Sequence, residues 1–199
     1  QINRSITSKV YQYALRNKPC PIIIISSGLS KFSQNYELED NPYSVLKNEE
    51  ENLFKHLSKD RMVLVFRIYA ATGLFLSKSS HYALAAFLNN SINYKPIKID
   101  SSKKIFRSYI YLPDLMNLCL KIFNSPLPHG FYCLDACTHN FEIEEIANIV
   151  TSMVHNVEIL RPILDLDTEP DNYVGNINHF NELVIKYNSN VHNINDQIR

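Results

Sequence analysis

Pro21-Ile22-Ile23-Ile24-Ile25-Ser26-Ser27-Gly28 is an apolar run that stops on two serines and a glycine. Its β-branched residues come without alternation, the pattern of a strand buried on both faces. Asn41-Pro42-Tyr43-Ser44-Val45-Leu46-Lys47 follows after a polar loop over 28–41. Asp40 or Asn41 suits an N-cap and Pro42 the first helical position, so a helix is predicted from Pro42 through Glu51 and Leu53 to about Leu57. Upstream, Ile6, Val10, Tyr13 and Ala14 recur at helical period over residues 4–17, and Lys18-Pro19 ends that helix. Downstream, Met62 to Tyr69 is a second buried strand, closing on Ala70-Ala71-Thr72-Gly73. Helix, strand, helix, strand over the first 73 residues is the signature of an α/β fold with a parallel sheet.

The same stretch carries chemistry. At i and i+4 of one helix, Tyr43 and Lys47 share a face about a turn apart. An ammonium beside a phenol favours the phenolate. Such a tyrosine can take or give a proton at a sugar or alcohol oxygen while a nicotinamide handles the hydride. Ser27, at the strand end, can hold that oxygen by a hydrogen bond. The Tyr-x-x-x-Lys spacing alone is weak in a chain with 12 tyrosines, and Tyr94 and Lys98 repeat it. Pro96 lies between that second pair, and an interior proline breaks a helix. Tyr94 and Lys98 are therefore read as a coincidence on an extended segment.

Composition sets bounds on the partners. The chain has 199 residues, 45% hydrophobic and 20% charged, with a formal net charge of zero. That is an ordinary globular composition, and it offers no support for a nucleic acid or anionic membrane held by bulk charge. The longest apolar run, Pro21 to Ile25, is too short to cross a bilayer. Nothing at the N-terminus reads as a signal peptide. The four cysteines, Cys20, Cys119, Cys133 and Cys137, lack zinc-ligand spacing and read as buried or half-buried thiols in a reducing compartment. No metal site is expected, and the seven histidines show no i, i+4 pairing. Four glycines, Gly28, Gly73, Gly130 and Gly175, leave no room for a Gly-x-Gly-x-x-Gly or Walker loop. The chain starts at Gln1 and its first methionine is Met62, which reads as a trimmed chain.

Beyond Gly73 the pattern changes. Tyr82 to Asn89 is predicted helical, Pro96 to Ile99 a short strand and Phe106 to Leu112 an alternating strand. Pro113-Asp114 opens an apolar helix through Phe123, with Asp114 as its cap. Residues 124–130 form a turn, Phe131 to Leu134 a strand, and Glu142 to Met153 an amphipathic helix with a glutamate-rich first turn that suits the helix dipole. A short helix is expected from His179 to Tyr187. Arg67 reads as structural at its strand end.

Taken together, these segments resemble the C-terminal part of an extended short-chain dehydrogenase/reductase, the nucleotide-sugar epimerase, dehydratase and reductase superfamily. Ile25 to Gly28 resembles its strand-end serine motif. Tyr43 to Lys47, with Glu51 four residues on, resembles its catalytic helix. Phe66-Arg67-Ile68-Tyr69 to Gly73 resembles the strand whose loop meets nicotinamide and substrate. Arg107-Ser108-Tyr109-Ile110-Tyr111-Leu112-Pro113-Asp114-Leu115 resembles the Arg-Asp-Phe-Ile-Tyr-Val-x-Asp-Val stretch. Gly130 to Leu134 resembles the late strand written Gly-x-x-Tyr-Asn. The resemblance spans about residues 5–190.

It implies Ser27, Tyr43 and Lys47 as catalytic residues, with Tyr43, Lys47, Ile68 and Tyr69 against a NAD or NADP cofactor. It implies Arg107 on the substrate diphosphate, where a fork of donors matches phosphate geometry. Ala70 and Arg161 are further substrate positions, although the family often has asparagine where Ala70 stands. Gly28 and Leu29 replace the acidic pair of the 4,6-dehydratases, which favours epimerase or ketoreductase chemistry. The usual Tyr-Gly after the serine motif is replaced near Lys31-Phe32. The pyrophosphate-binding glycine loop is expected upstream of Gln1, so this chain alone should bind dinucleotide poorly and be inactive.

The fold expected is α/β, an incomplete Rossmann-type parallel sheet with a small C-terminal α/β substrate lobe. Residues 1–75 form the C-terminal half of a dinucleotide-binding domain with the Tyr/Lys helix. Residues 76–199 form the substrate lobe, parts of which pack back on the sheet. The function implied is an NAD(P)-dependent epimerase or ketoreductase acting on a nucleotide-sugar in polysaccharide precursor synthesis. A cytoplasmic setting and a homodimer through the catalytic helix go with it. The alternative is a non-catalytic binding or regulatory protein that keeps the fold.

Overall fold

The computed structural model describes residues 2–32, 41–73 and 82–198. Helix α1 (Ile2–Arg16) leads into strand β1 (Ile22–Ser27), a 3-10 turn over Gly28–Phe32, and helix α2 (Pro42–Lys55). A second 3-10 turn, His56–Lys59, precedes β2 (Met62–Ile68) and the short β3 (Ala70–Thr72). Then come α3 (Ala83–Ile92), β4 (Ile97–Lys98), β5 (Ile105–Tyr111), α4 (Leu112–Asn124), β6 (Gly130–Ala136) and β7 (His139–Glu142). The chain ends with α5 (Ile143–Met153), β8 (Ile159–Leu160), β9 (Asp171–Tyr173), α6 (Ile177–Lys186) and α7 (Ile194–Ile198).

The first sheet is parallel, in the order β1-β2-β6. Its register places Ser27 beside Ile68 and Ile68 beside Ala136, so all three strands finish on one carboxyl edge. Strand β2 is central, and its side chains alternate between two cores. Met62, Leu64 and Phe66 pack with Leu115, Leu118 and Ile122 of α4 and Phe180 of α6. Val63 packs on the opposite face with Phe54, Leu57 and Ala14, under α1 and α2. A parallel sheet covered by helices on both faces explains why residues 62–66 read as one unbroken apolar run.

Strand β5 anchors the second sheet. It pairs with β7 antiparallel on one edge, while β3 and β9 share the other, both parallel. A third core, of Leu84, Phe87, Ile97, Tyr109, Ile143, Ile146, Val150 and Ile194, fills the space under α3 and α5. Helix α5 begins on a capping box: Glu142 accepts from the Glu144 amide, and Glu145 accepts from the Glu142 amide.

Several expectations fail for physical reasons. Strand β1 is not buried on both faces, and Ile25 is 40% exposed. Among the described residues it pairs only with β2. Of the periodic set on α1 only Ala14 is buried, whereas Ile6, Val10 and Tyr13 face outward. Asp114 does not cap α4; its carboxylate accepts from the His192 amide (2.8 Å) and lies 2.6 Å from His192 Nδ1. Cys20 is exposed, Cys119 and Cys137 are buried, and Cys133 is half-buried; all four are free. Strands β3, β7, β8 and β9 and helix α7 are short elements formed by tertiary pairing, and nothing in their local sequence announces them. Asp40 lies outside the described residues, and Asn41 is the N-cap.

Candidate active site

Helix α2 is fastened to the end of β1 at several points. Asn41 Oδ1 accepts from the amides of Tyr43 (3.0 Å) and Ser44 (3.3 Å), which fixes the first turn. The Ser44 hydroxyl donates to the Leu29 carbonyl (2.8 Å), two residues past Ser27. Asn48 donates to the Ser30 carbonyl at 3.4 Å. Lys47 donates to the Ile25 carbonyl at 3.5 Å and pairs with Glu50 at 2.9 Å, and its ammonium stands 5.9 Å from the Tyr43 ring centroid. Ser27, Tyr43 and Lys47 are thereby gathered at the carboxyl edge of the parallel sheet, where α/β folds bind their ligands. Tyr43 is 46% exposed and open to a ligand.

Beneath these groups lies a buried polar knot. One oxygen of the Glu51 carboxylate accepts from Ser26 Oγ (2.6 Å), Ser30 Oγ (2.6 Å) and Arg67 Nε (3.0 Å), and the other from Arg67 Nη2 (2.5 Å). Burial pushes this carboxyl up, but the hydrogen bonds from Arg67, Ser26 and Ser30 outweigh it and hold it below the usual range. Arg67 is structural, as its strand-end position predicts. The knot ties α2, β1 and β2 together directly under Ser27.

Tyr173 enters the site from β9 and has no local motif. Its hydroxyl lies 3.5 Å from Ser27 Oγ, and its ring packs at 4.8 Å, tilted, on Tyr69. Burial pushes the Tyr173 phenol up, and the hydrogen bond with Ser27 partly offsets it. The Arg107 guanidinium stands 6.0 Å from the Tyr173 ring centroid and forks onto Asp171, at 3.2 Å and 2.7 Å. Gly28 and Gly175 admit the Tyr69 ring, since a Cβ added at either would come within 2.4 Å or 2.6 Å of it. Lys31 pairs with the buried Asp135, which also accepts from the Asn176 amide at 2.9 Å.

The expected residues thus divide. Ser27, Tyr43, Lys47, Tyr69 and, through Tyr173, Arg107 converge on one region. Ile68 packs against the first core and Ala70 against the third, so the side chains of these two expected contacts serve packing. Arg161, an expected substrate position, is held by protein groups. All five of its N–H bonds go to protein oxygens: Ser101, Lys103, Glu142 twice and Glu144. Tyr94 and Lys98 do not share a helix; Tyr94 sits in the turn after α3 at φ 56° and Lys98 in β4. Sequence reading missed Asp171, Tyr173 and the Lys31–Asp135 pair, which meet only through long-range folding.

Solved structures align with nearly the whole chain. A UDP-N-acetylglucosamine 4-epimerase from Methanobrevibacter ruminantium M1, in complex with UDP-N-acetylmuramic acid, superposes with a TM-score of 0.75 at 14% identity, over 99% of this chain and 66% of that one. The fold is that of the extended short-chain dehydrogenases/reductases. A UDP-glucuronic acid 4-epimerase from Bacillus cereus, in complex with UDP-glucuronic acid and NAD, has the same fold, with a TM-score of 0.73 at 13% identity over 98% of this chain and 64% of that one. So does an NAD-dependent NDP-hexosamine 5,6-dehydratase of tunicamycin biosynthesis, at 0.65 and 14% over 90% and 61%. The chain spans about two thirds of the length of such short-chain dehydrogenase/reductase structures. No protein-family model and no curated protein matches the sequence. Among the described residues no helix is long and apolar enough to cross a membrane, and no cluster of metal-ligating side chains occurs.

Proposed function

We propose that the protein carrying this chain is an NAD(P)-dependent epimerase or ketoreductase of a nucleotide-activated sugar, working in the cytoplasm in polysaccharide precursor synthesis. The observation that carries this reading is the seating of the Asn41-capped Tyr43/Lys47 helix over the Ser27 end of a parallel strand. The residues present suit the nicotinamide–ribose half of a dinucleotide, because exposed Tyr43 stands beside a lysine ammonium at the carboxyl edge. They do not supply a glycine cradle for its pyrophosphate. A nicotinamide bound there would accept and return the hydride.

The chain's own residues do the rest. Ser27 holds the reacting sugar oxygen. Tyr43 takes the hydroxyl proton as the carbon loses its hydride, leaving a ketone, and returns the proton when a hydride comes back. A hydride delivered to the opposite face would invert the carbon. Lys47 would hold the nicotinamide ribose. Arg107 pairs with the diphosphate. Gly28 and Leu29 bring no carboxylate to the serine turn, which supports epimerase or ketoreductase chemistry over elimination. A homodimer through α2 belongs to the same reading, supported by the outward apolar side chains of the neighbouring α1.

The second reading, a non-catalytic binding or regulatory protein, is favoured by the Lys47 ammonium being spent on Glu50. One experiment separates the two. The full protein is incubated with NAD or NADP and a panel of nucleotide-sugars, and products are followed by NMR. The enzyme reading expects a change at one sugar carbon that Ser27→Ala strongly slows. Binding of a nucleotide-sugar without any conversion would favour the second reading.

A further inference from the structure

We propose that strand β9 is an internal substrate mimic that closes the candidate site, with Asp171 standing in for a phosphate and Tyr173 for a sugar hydroxyl. This inference rests on the reading of Arg107 and Ser27 as the diphosphate and sugar-oxygen contacts.

The two residues are separated by one, so both side chains leave the same side of the strand. Asp171 fills the Arg107 fork with a carboxylate, the planar anion whose geometry most resembles one face of a phosphate. Tyr173 brings a hydroxyl to 3.5 Å from Ser27 Oγ, where a sugar hydroxyl would sit. Its ring also lies under the same guanidinium. Three residues therefore occupy both recognition elements of the site at once.

The strap is seated by backbone bonds to β5. The Asp171 amide donates to the Lys104 carbonyl at 2.8 Å, and the register pairs Arg107 with Tyr173. Its grip on the arginine is weak where it matters. Asp171 is 52% exposed, and an exposed ion pair contributes little. A diphosphate, with about two charges against the one of a carboxylate, outcompetes it, whereas a neutral sugar does not. The strap thus reserves the site for ligands that carry a diphosphate.

Calorimetric titration of the full protein with UDP tests this, using wild type, Asp171→Asn, Arg107→Ala and the double variant. Asp171→Asn should bind UDP about three- to tenfold more tightly than wild type, and Arg107→Ala should erase that gain. Hydrogen exchange of residues 168–176, measured without ligand, should be faster in Asp171→Asn. Equal UDP affinity in wild type and Asp171→Asn, with Arg107→Ala weakening both, overturns the strap and leaves the diphosphate site standing. UDP binding that ignores Arg107→Ala in both backgrounds overturns the diphosphate site itself. Unchanged exchange in Asp171→Asn overturns the strap whatever UDP does. Faster exchange without UDP binding to any variant overturns the site reading and, with it, the mimicry.

Discussion

The Tyr173 hydroxyl lies 3.5 Å from the Ser27 hydroxyl, across 146 residues of sequence. This contact joins the end of the first parallel strand to the short strand that pairs with β5. It places Arg107 and Ser27, one implied in substrate binding and the other in catalysis, on either side of a single phenol ring. Two glycines make the arrangement possible. Gly28 and Gly175 let the Tyr69 ring pack where any Cβ would collide, and Tyr69 in turn supports Tyr173.

The Glu51 knot predicts an acid-sensitive fold. The folded carboxyl titrates below its usual 4.5, because hydrogen bonds from Arg67, Ser26 and Ser30 overcome the cost of burial. The unfolded chain therefore binds the proton more tightly. The stability contributed is fully present above about pH 4.5 and is lost as pH falls through the folded value. Glu51→Gln should cost about 3 kcal/mol at pH 7, because it leaves Arg67 without its counter-charge. It should also flatten the pH dependence below 4.5. Urea unfolding at pH 7 and at pH 3.5 measures both effects, and an unaltered pH slope would show that the knot contributes nothing.

The thiols should react at very different rates. Burial pushes Cys119 and Cys137 up to about 11 and Cys133 up to about 12, where Glu51 adds to the shift. Cys20 is exposed. At pH 8 a thiol-specific reagent should label Cys20 in the native protein well before the other three, and denaturant should release all of them. Mass spectrometry of the labelled peptides reads this directly. Rapid native labelling of Cys133 would mean the knot beneath Ser27 is open.

Arg161 should matter for folding and not for ligand. Its side chain is 5% exposed and tied to Glu142 at both oxygens and to Glu144. Arg161→Ala should lower stability by about 3 kcal/mol, the scale for breaking a buried pair, with nucleotide-sugar affinity unchanged. Thermal unfolding and calorimetry on the same sample check the split. A loss of affinity without loss of stability would restore the substrate role that resemblance implies.

The central sheet is legible in the sequence because helices cover both its faces. Residues 62–66 read as a buried strand and are one. Pro42 after Asn41 announces α2 through cap chemistry, and an amphipathic run with a glutamate-rich first turn announces α5. In helix α1 and strand β1 composition reports which residues want burial, and neighbouring elements decide whether they get it. Ile6, Val10 and Ile25 stay exposed with apolar patterns intact. In the candidate site, Ser27, Tyr43 and Lys47 were legible because spacing within one helix and the end of one strand place them. Asp171 and Tyr173 were not, since β9 exists only through its pairing with β5. The Arg161 bonds to Glu142 and Glu144 are not legible, because local sequence does not announce those partners.

The central claim is that Tyr43 carries the proton at the reacting sugar oxygen. The direct test is steady-state turnover of the full protein with the nucleotide-sugar it is proposed to act on, comparing wild type, Tyr43→Phe and Tyr94→Phe. Tyr43→Phe should reduce kcat by about two to four orders of magnitude, the scale of a positioned acid/base, with nucleotide-sugar affinity nearly unchanged and Tyr94→Phe behaving as wild type. Near-wild-type turnover in Tyr43→Phe would contradict the account.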